Sequence, residues 1–446
     1  MRNEQRFCQG WLSPRYLLLM AVGGVSALLY LRDYTIDTYL QVFFPLFGLY
    51  MLALVAVFRK RVRASYLPLI IGFAVVFRLI LVFSPLVLST DLYRYVWDGR
   101  VQRAGLNPYR YPPEAEALTA LRDTEIFPRI NRPWLPTIYP PAAQMFFALS
   151  TTVFPDSISG MKALLMLFDL ATLWLLVRLL KTTGSDPDRV LVYAWSPLVL
   201  FELAGSGHVE ALMLPFVLLA LLARRQDRPI VAGAALGIAT LSKLYPAVLF
   251  PTLWRRRDAY FPLAFGATVL LGYLPYASGV GDRVAGYLPR YFGPWEDFNV
   301  GLRHWLAVLL TPFTPSPRLT AMLLLTAALL TTALAVSRGD DVIRRAYVMA
   351  TAYLLLLPTS FYPWYLVWLL PFLCIYPAWG WLYLSGTIAL SYLEYVKGTQ
   401  ALLPGVRMLE FLPCYALLLM QAVWCRSTAG IGTAGIATVL YRNGVR

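Results

Sequence analysis

Charged and metal-binding residues are scarce in this chain of 446 residues. Charged side chains make up 14% of the sequence and hydrophobic ones 59%, whereas a typical soluble domain is about a quarter charged. There are two histidines and four cysteines, and the cysteines lack the spacing of a zinc site or a disulfide framework. The composition therefore excludes a large soluble domain and gives no indication of a structural metal.

Sequence signatures of soluble nucleotide chemistry are also missing. The chain contains no phosphate loop, dinucleotide fingerprint, HExxH zinc motif, GxSxG nucleophile elbow or kinase motif set. An enzyme that used a soluble nucleotide-linked substrate would have no recognisable place to bind the nucleotide. This absence points to a substrate dissolved in the membrane.

Long apolar stretches, in contrast, recur along the whole length of the chain, and the mean hydropathy is +0.59. A helix of about 20 apolar residues crosses the hydrocarbon core of a bilayer. Several of the apolar segments are shorter than this and are predicted to be broken or re-entrant. We expect an all-α polytopic integral membrane protein with roughly 11–14 transmembrane helices.

Basic residues lie in short clusters between the apolar segments, and the formal net charge is +15. In a soluble protein this charge would indicate nucleic acid binding, but cytoplasmic loops of membrane proteins are enriched in Lys and Arg. We therefore expect the clusters Phe58–Arg63, Arg224–Arg228 and Arg255–Asp258 to be cytoplasmic, and we expect no nucleic acid partner. Attraction to anionic lipid or to a phosphate-bearing ligand is the alternative explanation. This orientation places the loop 89–137 outside the cytoplasm, whereas the topology of 138–205 stays open.

The loop begins with a polar stretch, STDLYRYVWDGR. A short helix is predicted over 91–98, ending at Gly99. Asp91, Arg94 and Asp98 stand at i, i+3 and i+7 and share one face, so Arg94 can hold one carboxylate and leave the other free. Asp91 is either an acid that complements the helix dipole or a general base that takes a proton from a hydroxyl group.

Aromatic residues and prolines are concentrated where spans are predicted to reach the outer surface. The loop carries NPYRYPP and FPRINRPWLPTIYPP, and Tyr362 and Trp364 stand in the later stretch YPWYLVWLLP. Belts of Tyr and Trp at the membrane interface account for such residues. Stacking against sugar rings is the alternative.

Two further polar motifs interrupt apolar runs. In AGSGHVEAL, the glycines let the backbone come close to a ligand or to another helix, and His208 precedes Glu210 by two positions. Zinc would need three ligands with His or Cys nearby, and that set is absent. In LSKLYP, Lys243 precedes a kink at Tyr245-Pro246. Lys243 is either a lysine that reaches the interface or a cation at a broken helix that pairs with a phosphate.

Five stretches of the chain, taken in this order, resemble the membrane-embedded glycosyltransferases of superfamily C. They are STDLYRYVWDGRVQRAGLNPY, IYPPAAQ, AGSGHVEAL, LSKLYP and YPWYLVWLLP. The resemblance covers residues 66–377 and is greatest to bacterial mannosyltransferases that use polyprenyl-phosphate mannose. It implies a helical bundle with a large first extracytoplasmic loop that carries short juxtamembrane helices. The expected parts are an N-terminal transmembrane hairpin over 1–65, a catalytic transmembrane core over 66–377, and C-terminal helices with a cytoplasmic tail over 378–446.

The resemblance implies an inverting transfer of a sugar from a polyprenyl-phosphate donor to a hydroxyl group of a glycan, glycolipid or protein. It also implies action on the extracytoplasmic side of the bacterial inner membrane. Asp91 matches the base of the family, and no cofactor or metal is expected. Many relatives carry Asp where this chain has Glu210, and His where it has Tyr362. The expected substrate-binding residues are Arg94, Asp98, Arg100, His208, Glu210, Lys243, Tyr245, Tyr362 and Trp364.

Among these residues, Lys243, together with an arginine such as Arg94 or Arg100, is expected to neutralise the departing phosphate. A transporter or flippase for a lipid-linked anion is the alternative function, because it would use the same cations without needing Asp91 as a base. A silent scaffold in a cell-envelope complex is a third interpretation.

Overall fold

The structure, a computed structural model, describes residues 13–60, 65–286, 298–336, 341–356 and 360–430. Within these ranges the chain forms α-helices with short 3-10 and π segments and contains no strand, which confirms the predicted all-α class. The described residues divide into two compact units. The first lies within Met1–Val87, Leu173–Gly205 and Leu370–Arg446, and the second within Leu88–Thr172 and Ser206–Leu369.

The first unit combines N-terminal, middle and C-terminal segments. Two of its middle-segment residues connect to the N-terminal helices: Trp195 Nε1 donates to the Ile70 carbonyl at 2.8 Å, and Tyr50 donates its hydroxyl to the Val192 carbonyl at 2.8 Å. These bonds satisfy polar atoms of buried aromatic side chains. The helical segments are Pro14–Tyr30, Tyr39–Phe58, Leu67–Val82, Pro187–Val190, Leu191–Ala194, Pro197–Val199, Leu200–Gly205, Leu370–Leu373, Trp379–Thr387, Ile388–Tyr395, Gln400–Leu402 and Leu403–Gly430.

The second unit holds the loop 89–137 and most of the motifs singled out above. Its helical segments are Asp91–Arg103, Glu116–Leu121, Phe127–Arg129, Pro141–Val153, Glu210–Arg225, Pro229–Ser242, Tyr245–Leu249, Phe250–Leu253, Tyr260–Ala277, Gly281–Ala285, Leu302–Leu310, Pro317–Val336, Val342–Leu356, Pro363–Leu366 and Val367–Leu369. One more helix, Ile158–Thr182, begins in the second unit and ends in the first. Small residues allow close packing here, since a Cβ at Gly233 would lie 2.4 Å from the Phe261 carbonyl oxygen.

The apolar helices identify a multi-pass membrane protein. Five helices among the described residues are long and apolar enough to cross a bilayer: Tyr39–Phe58, Ile158–Thr182, Tyr260–Ala277, Pro317–Val336 and Gln400–Trp424. Pro197–Gly205 and Glu210–Arg225 make a sixth if they form one broken span. The shorter apolar helices are Pro14–Tyr30, Leu67–Val82, Pro229–Ser242 and Pro363–Leu373.

This set contains fewer full-length candidates than the 11–14 spans expected from the sequence, because several apolar runs are divided. The apolar run over 229–254, for example, breaks after Ser242 and continues as short helical pieces. The predicted three-part division at residues 65 and 377 stays a prediction, and residues 431–446 of the predicted tail lie outside the described residues.

The loop 89–137 carries short helices, as predicted, but the first of them is longer than expected. It begins at Asp91, continues through Gly99 and ends at Arg103, with Gly105 in the left-handed region at φ +76° just beyond. Gly99 serves close packing instead, because a Cβ there would lie 2.4 Å from the carbonyl oxygen of Phe147 in the neighbouring helix. The predicted stop at Gly99 is therefore wrong: glycine has two uses in helices, and the sequence alone did not distinguish them.

Candidate active site

Asp91 lies at the N-terminal end of its helix and stays partly accessible, with 19% of its side chain exposed. Asn131 Nδ2 donates a hydrogen bond to its Oδ1 at 2.6 Å, and the hydroxyl of Tyr139 donates to its Oδ2 at 3.3 Å. His208 Nδ1 lies 3.9 Å from the same Oδ2. Each carboxylate oxygen has two lone pairs, so both retain capacity for a further hydrogen bond, as a general base requires.

Arg94 and Asp98 form a buried ion pair on the same helix, with Arg94 Nε donating to Asp98 Oδ1 at 2.8 Å. The prediction that Arg94 holds one of the two carboxylates is thereby confirmed. The other oxygen of Asp98 accepts from Thr137 Oγ1 at 2.6 Å and from Gln144 Nε2 at 2.9 Å. The pair therefore ties the end of the loop to the helix that carries Asp91, and substrate binding by these two residues stays a prediction.

Arg100 connects more distant parts of the same region. Its guanidinium binds Asp123 at 2.6 Å and Asp156 at 2.9 Å, and it donates to the Leu121 carbonyl at 3.0 Å. Burial by itself would raise the pKa of Asp123, but hydrogen bonds from Arg100 and from two loop amides lower that pKa to about 2. A substrate phosphate would have to compete with both acids for Arg100, whose role in substrate binding stays a prediction.

His208 is placed next to Asp91 by a glycine that precedes it. Gly207 has φ +71°, a conformation that favours glycine, and a Cβ there would lie 2.9 Å from the side chain of Leu92. The backbone at Gly207 therefore packs directly against the helix that begins at Asp91. This confirms the predicted close approach, and its partner is another helix.

His208 belongs to a column of four stacked rings. Its imidazole lies 4.0 Å from Trp364, Trp364 lies 4.4 Å from Tyr362, and Tyr362 lies 4.3 Å from Phe298, all between ring centroids with interplanar angles of 22°, 8° and 10°. Phe298 is held by Phe361, whose N–H donates to the Phe298 carbonyl at 2.7 Å. Both faces of Trp364 and of Tyr362 are therefore covered by protein rings, which leaves only their edges for a substrate.

The ring column gives a test of how Tyr362 acts. If the Tyr362 ring holds His208 in place through Trp364, Tyr362→Leu should lower kcat about tenfold and leave KM unchanged. The reason is that the column loses the stacking that aromatic pairs contribute. Tyr362→Phe keeps the ring and should retain the wild-type rate. Steady-state kinetics of the two variants provides the measurement. A rise in KM for Tyr362→Leu with unchanged kcat would instead indicate direct stacking of Tyr362 against the substrate.

Lys243 lies at a break in its helix, as predicted. The helix Pro229–Ser242 ends there, and Lys243 adopts an extended backbone with φ −153° and ψ 136°. Its Nζ lies 3.0 Å from Oε1 of Glu210, which is fully buried in the first turn of the preceding helix, Glu210–Arg225. This pairing was not predicted, because the two residues stand 33 positions apart and nothing in the sequence connects them.

Tyrosine rings surround the ammonium group of Lys243. The group lies 5.9 Å from the ring centroid of Tyr139 and 5.5 Å from that of Tyr365, within range of cation–π attraction. Tyr245 packs among Tyr365, Tyr353 and Trp368 at centroid distances of 6.1, 5.7 and 4.9 Å. Tyr245 therefore supports the rings beside Lys243.

The structure brings together Asp91, His208, Glu210, Lys243 and Trp364 of the predicted residues. Sequence reasoning did not select Asn131 or Tyr139, although Tyr139 stands in the motif IYPPAAQ, which offered a signal. Tyr139 joins the two halves of the site, since its hydroxyl contacts Asp91 while its ring faces Lys243. Among the described residues, no three His, Cys, Asp or Glu side chains are grouped as a metal site would require.

Comparison with known proteins gives a family match and two relatives. Residues 9–256 match the family model described as alpha-(1->6)-mannopyranosyltransferase, N-terminal domain. The chain is 26% identical over 178 residues to alpha-(1->6)-mannopyranosyltransferase A of Corynebacterium glutamicum, which covers 38% of this chain and 35% of that protein. It is 27% identical over 249 residues to the protein of the same name from Mycobacterium tuberculosis, covering 51% and 46%. The matches thus span less than half of each relative, and no solved structure matches the chain.

Proposed function

Because the chain belongs to the alpha-(1->6)-mannopyranosyltransferase N-terminal domain family, we propose that it transfers a mannosyl group to a hydroxyl acceptor at the membrane surface. The donor is a polyprenyl-phosphate sugar, and the acceptor is part of a glycan, a glycolipid or a protein. The family match agrees with the resemblance to membrane mannosyltransferases of superfamily C. We place the reaction on the extracytoplasmic side of a bacterial inner membrane, since the basic clusters are expected on the cytoplasmic side.

The observation that carries this proposal is that an acid and a cation both lie beside one tyrosine, Tyr139. The Tyr139 hydroxyl lies 3.3 Å from Asp91, and the Lys243 ammonium lies 5.9 Å from the centre of the same ring. A base and a cation beside the same tyrosine suit a reaction in which an alcohol attacks a sugar carbon while a phosphate leaves. A helix N-terminus also lies at Asp91, which favours a carboxylate at that position.

In the proposed step, the Asp91 carboxylate removes the proton of the acceptor hydroxyl. The acceptor oxygen forms a bond to the anomeric carbon, and the bond from that carbon to the phosphate oxygen breaks with both electrons leaving on polyprenyl phosphate. One displacement inverts the anomeric centre. Lys243 stabilises the charge that develops on the departing phosphate. His208 lies beside Asp91, and Glu210 pairs with Lys243. On this proposal no metal ion is needed.

Transfer of label from a lipid donor tests the proposal. Purified protein in proteoliposomes, given polyprenyl-phosphate mannose labelled in the sugar together with envelope glycan or glycolipid as acceptor, should move the label to the acceptor. The rate should not change on addition of a chelator.

A transporter or flippase gives a different result in the same vesicles. The labelled lipid would then change leaflet intact, and no label would enter the acceptor. Intact flipping of the labelled lipid without transfer would contradict the proposed function. Transfer that stops on chelation and returns with a divalent cation would contradict the metal-free step.

A further inference from the structure

Asn131 makes the shorter of the two side-chain hydrogen bonds described above to the proposed base. Its Nδ2 donates to Asp91 Oδ1 at 2.6 Å, although the residue lies 40 positions further along the chain. A hydrogen bond to an ionised acceptor is shorter and stronger than one between neutral groups. The contact therefore acts on the charged form of Asp91.

The backbone around Asn131 is held in a constrained conformation. Arg132 has φ 49°, which is uncommon for a residue other than glycine. The Arg132 carbonyl accepts from the Leu135 N–H at 3.0 Å, and the Leu135 carbonyl accepts from Arg94 Nη1 at 3.0 Å. Unfavourable backbone conformations persist where surrounding contacts determine them, and they are concentrated at functional sites.

The ion pair of Arg94 with Asp98 completes this arrangement. Arg94 holds the Leu135 carbonyl while Asp98 accepts from Thr137, so one buried pair fixes both ends of a short segment that follows Asn131. The same pair stands on the helix that begins at Asp91. The position of the loop relative to the helix that carries the base is therefore set by contacts that do not involve Asp91 itself.

We propose that Asn131 is a positioning residue that holds the Asp91 carboxylate in its reactive orientation. This inference rests on the proposed function, because it assigns a partner to the proposed base. With Oδ1 bound to Asn131 at 2.6 Å, Oδ2 is the oxygen that receives the acceptor proton, since its bond to Tyr139 is longer at 3.3 Å.

Replacing Asn131 with Ala tests this role through pH dependence. Without the donor, the ionised carboxylate is less stable, so it takes up a proton at a higher pH. We expect the acidic limb of the kcat profile to move to higher pH, with kcat lowered about tenfold near neutral pH and KM unchanged. Asn131→Asp should move the limb further, because two adjacent carboxylates share a proton.

Asn107→Ala is the matched control in the same loop. Asn107 Nδ2 donates to the Tyr276 carbonyl at 2.7 Å, so its loss removes a comparable bond that does not reach Asp91. This variant should leave the acidic limb where it is in the wild type. An acidic limb that stays in place in Asn131→Ala, or that moves equally in Asn107→Ala, would overturn the inference.

Infrared difference spectroscopy makes the test independent of turnover. The protonated carboxyl band that is lost in Asp91→Asn reports the titration of Asp91, and its midpoint should rise in Asn131→Ala. A raised midpoint in a protein that transfers no sugar supports the role of Asn131 while removing the proposed function. An unchanged midpoint in a protein that does transfer sugar removes the role of Asn131 alone.

Discussion

Replacing Asp91 with Asn should lower the rate of sugar transfer by about 10²- to 10⁴-fold, the contribution typical of a positioned general base. The amide has the size of the carboxylate but cannot accept a proton from an attacking hydroxyl group. Its oxygen can still accept a hydrogen bond from Asn131 or Tyr139, the two neighbours that donate to Asp91, so we expect the variant to fold. Initial rates with labelled donor, measured on purified wild-type and variant protein, give the comparison.

Asp123→Asn provides the control for this substitution. Asp123 stands in the same loop and is paired with Arg100 at 2.6 Å, away from the contacts that define the proposed site. It should lose some thermal stability and retain transfer. If Asp91→Asn transfers sugar at the wild-type rate, Asp91 is not the base, and the mechanism needs another carboxylate.

Replacing Lys243 with Met should lower kcat/KM by about 100-fold, the lower end of the effect of removing one group that stabilises developing negative charge. The same change leaves Glu210 buried without its cation, and breaking a buried ion pair from one side destabilises a protein by about 3–5 kcal/mol. Two effects are therefore expected together. Kinetics with varied donor concentration and thermal unfolding measure them separately.

The double variant Lys243→Met with Glu210→Gln separates the two effects. It removes both charges, so Tm should recover much of its loss while transfer stays slow. Arg224→Met is the matched control, because Arg224 forms another buried ion pair, with Asp258 at 2.7 Å. That variant should be less stable but keep the wild-type KM for the donor. Recovery of activity in the double variant would show that Lys243 serves only to neutralise Glu210.

The sequence predicted the parts of the site that follow from local spacing. Asp91, Arg94 and Asp98 fall on one helix face because the helical repeat dictates it, and Lys243 lies at a helix end because a proline follows closely. The Gly207–His208 element was recognisable because glycine lets the backbone come close to a ligand or to another helix. In each case the physical cause acts within a few residues.

The remaining parts depend on contacts between residues far apart in the chain. The Lys243–Glu210 pair, the Asn131 bond to Asp91 and the stacking of Phe298 on Tyr362 have no local signal. The same limitation explains the helix end that was placed at Gly99, since close packing and helix termination both select glycine. The short helical pieces arise similarly, because hydropathy identifies an apolar run without locating the break within it.

A structure of the Asp91→Asn protein with donor and acceptor both bound, determined by cryo-electron microscopy, tests the central claim most directly. The account predicts the acceptor oxygen within about 2.6–3.2 Å of the side chain at position 91, with the donor phosphate beside Lys243. An acceptor oxygen bound to a different carboxylate, with position 91 turned away from both substrates, would contradict it.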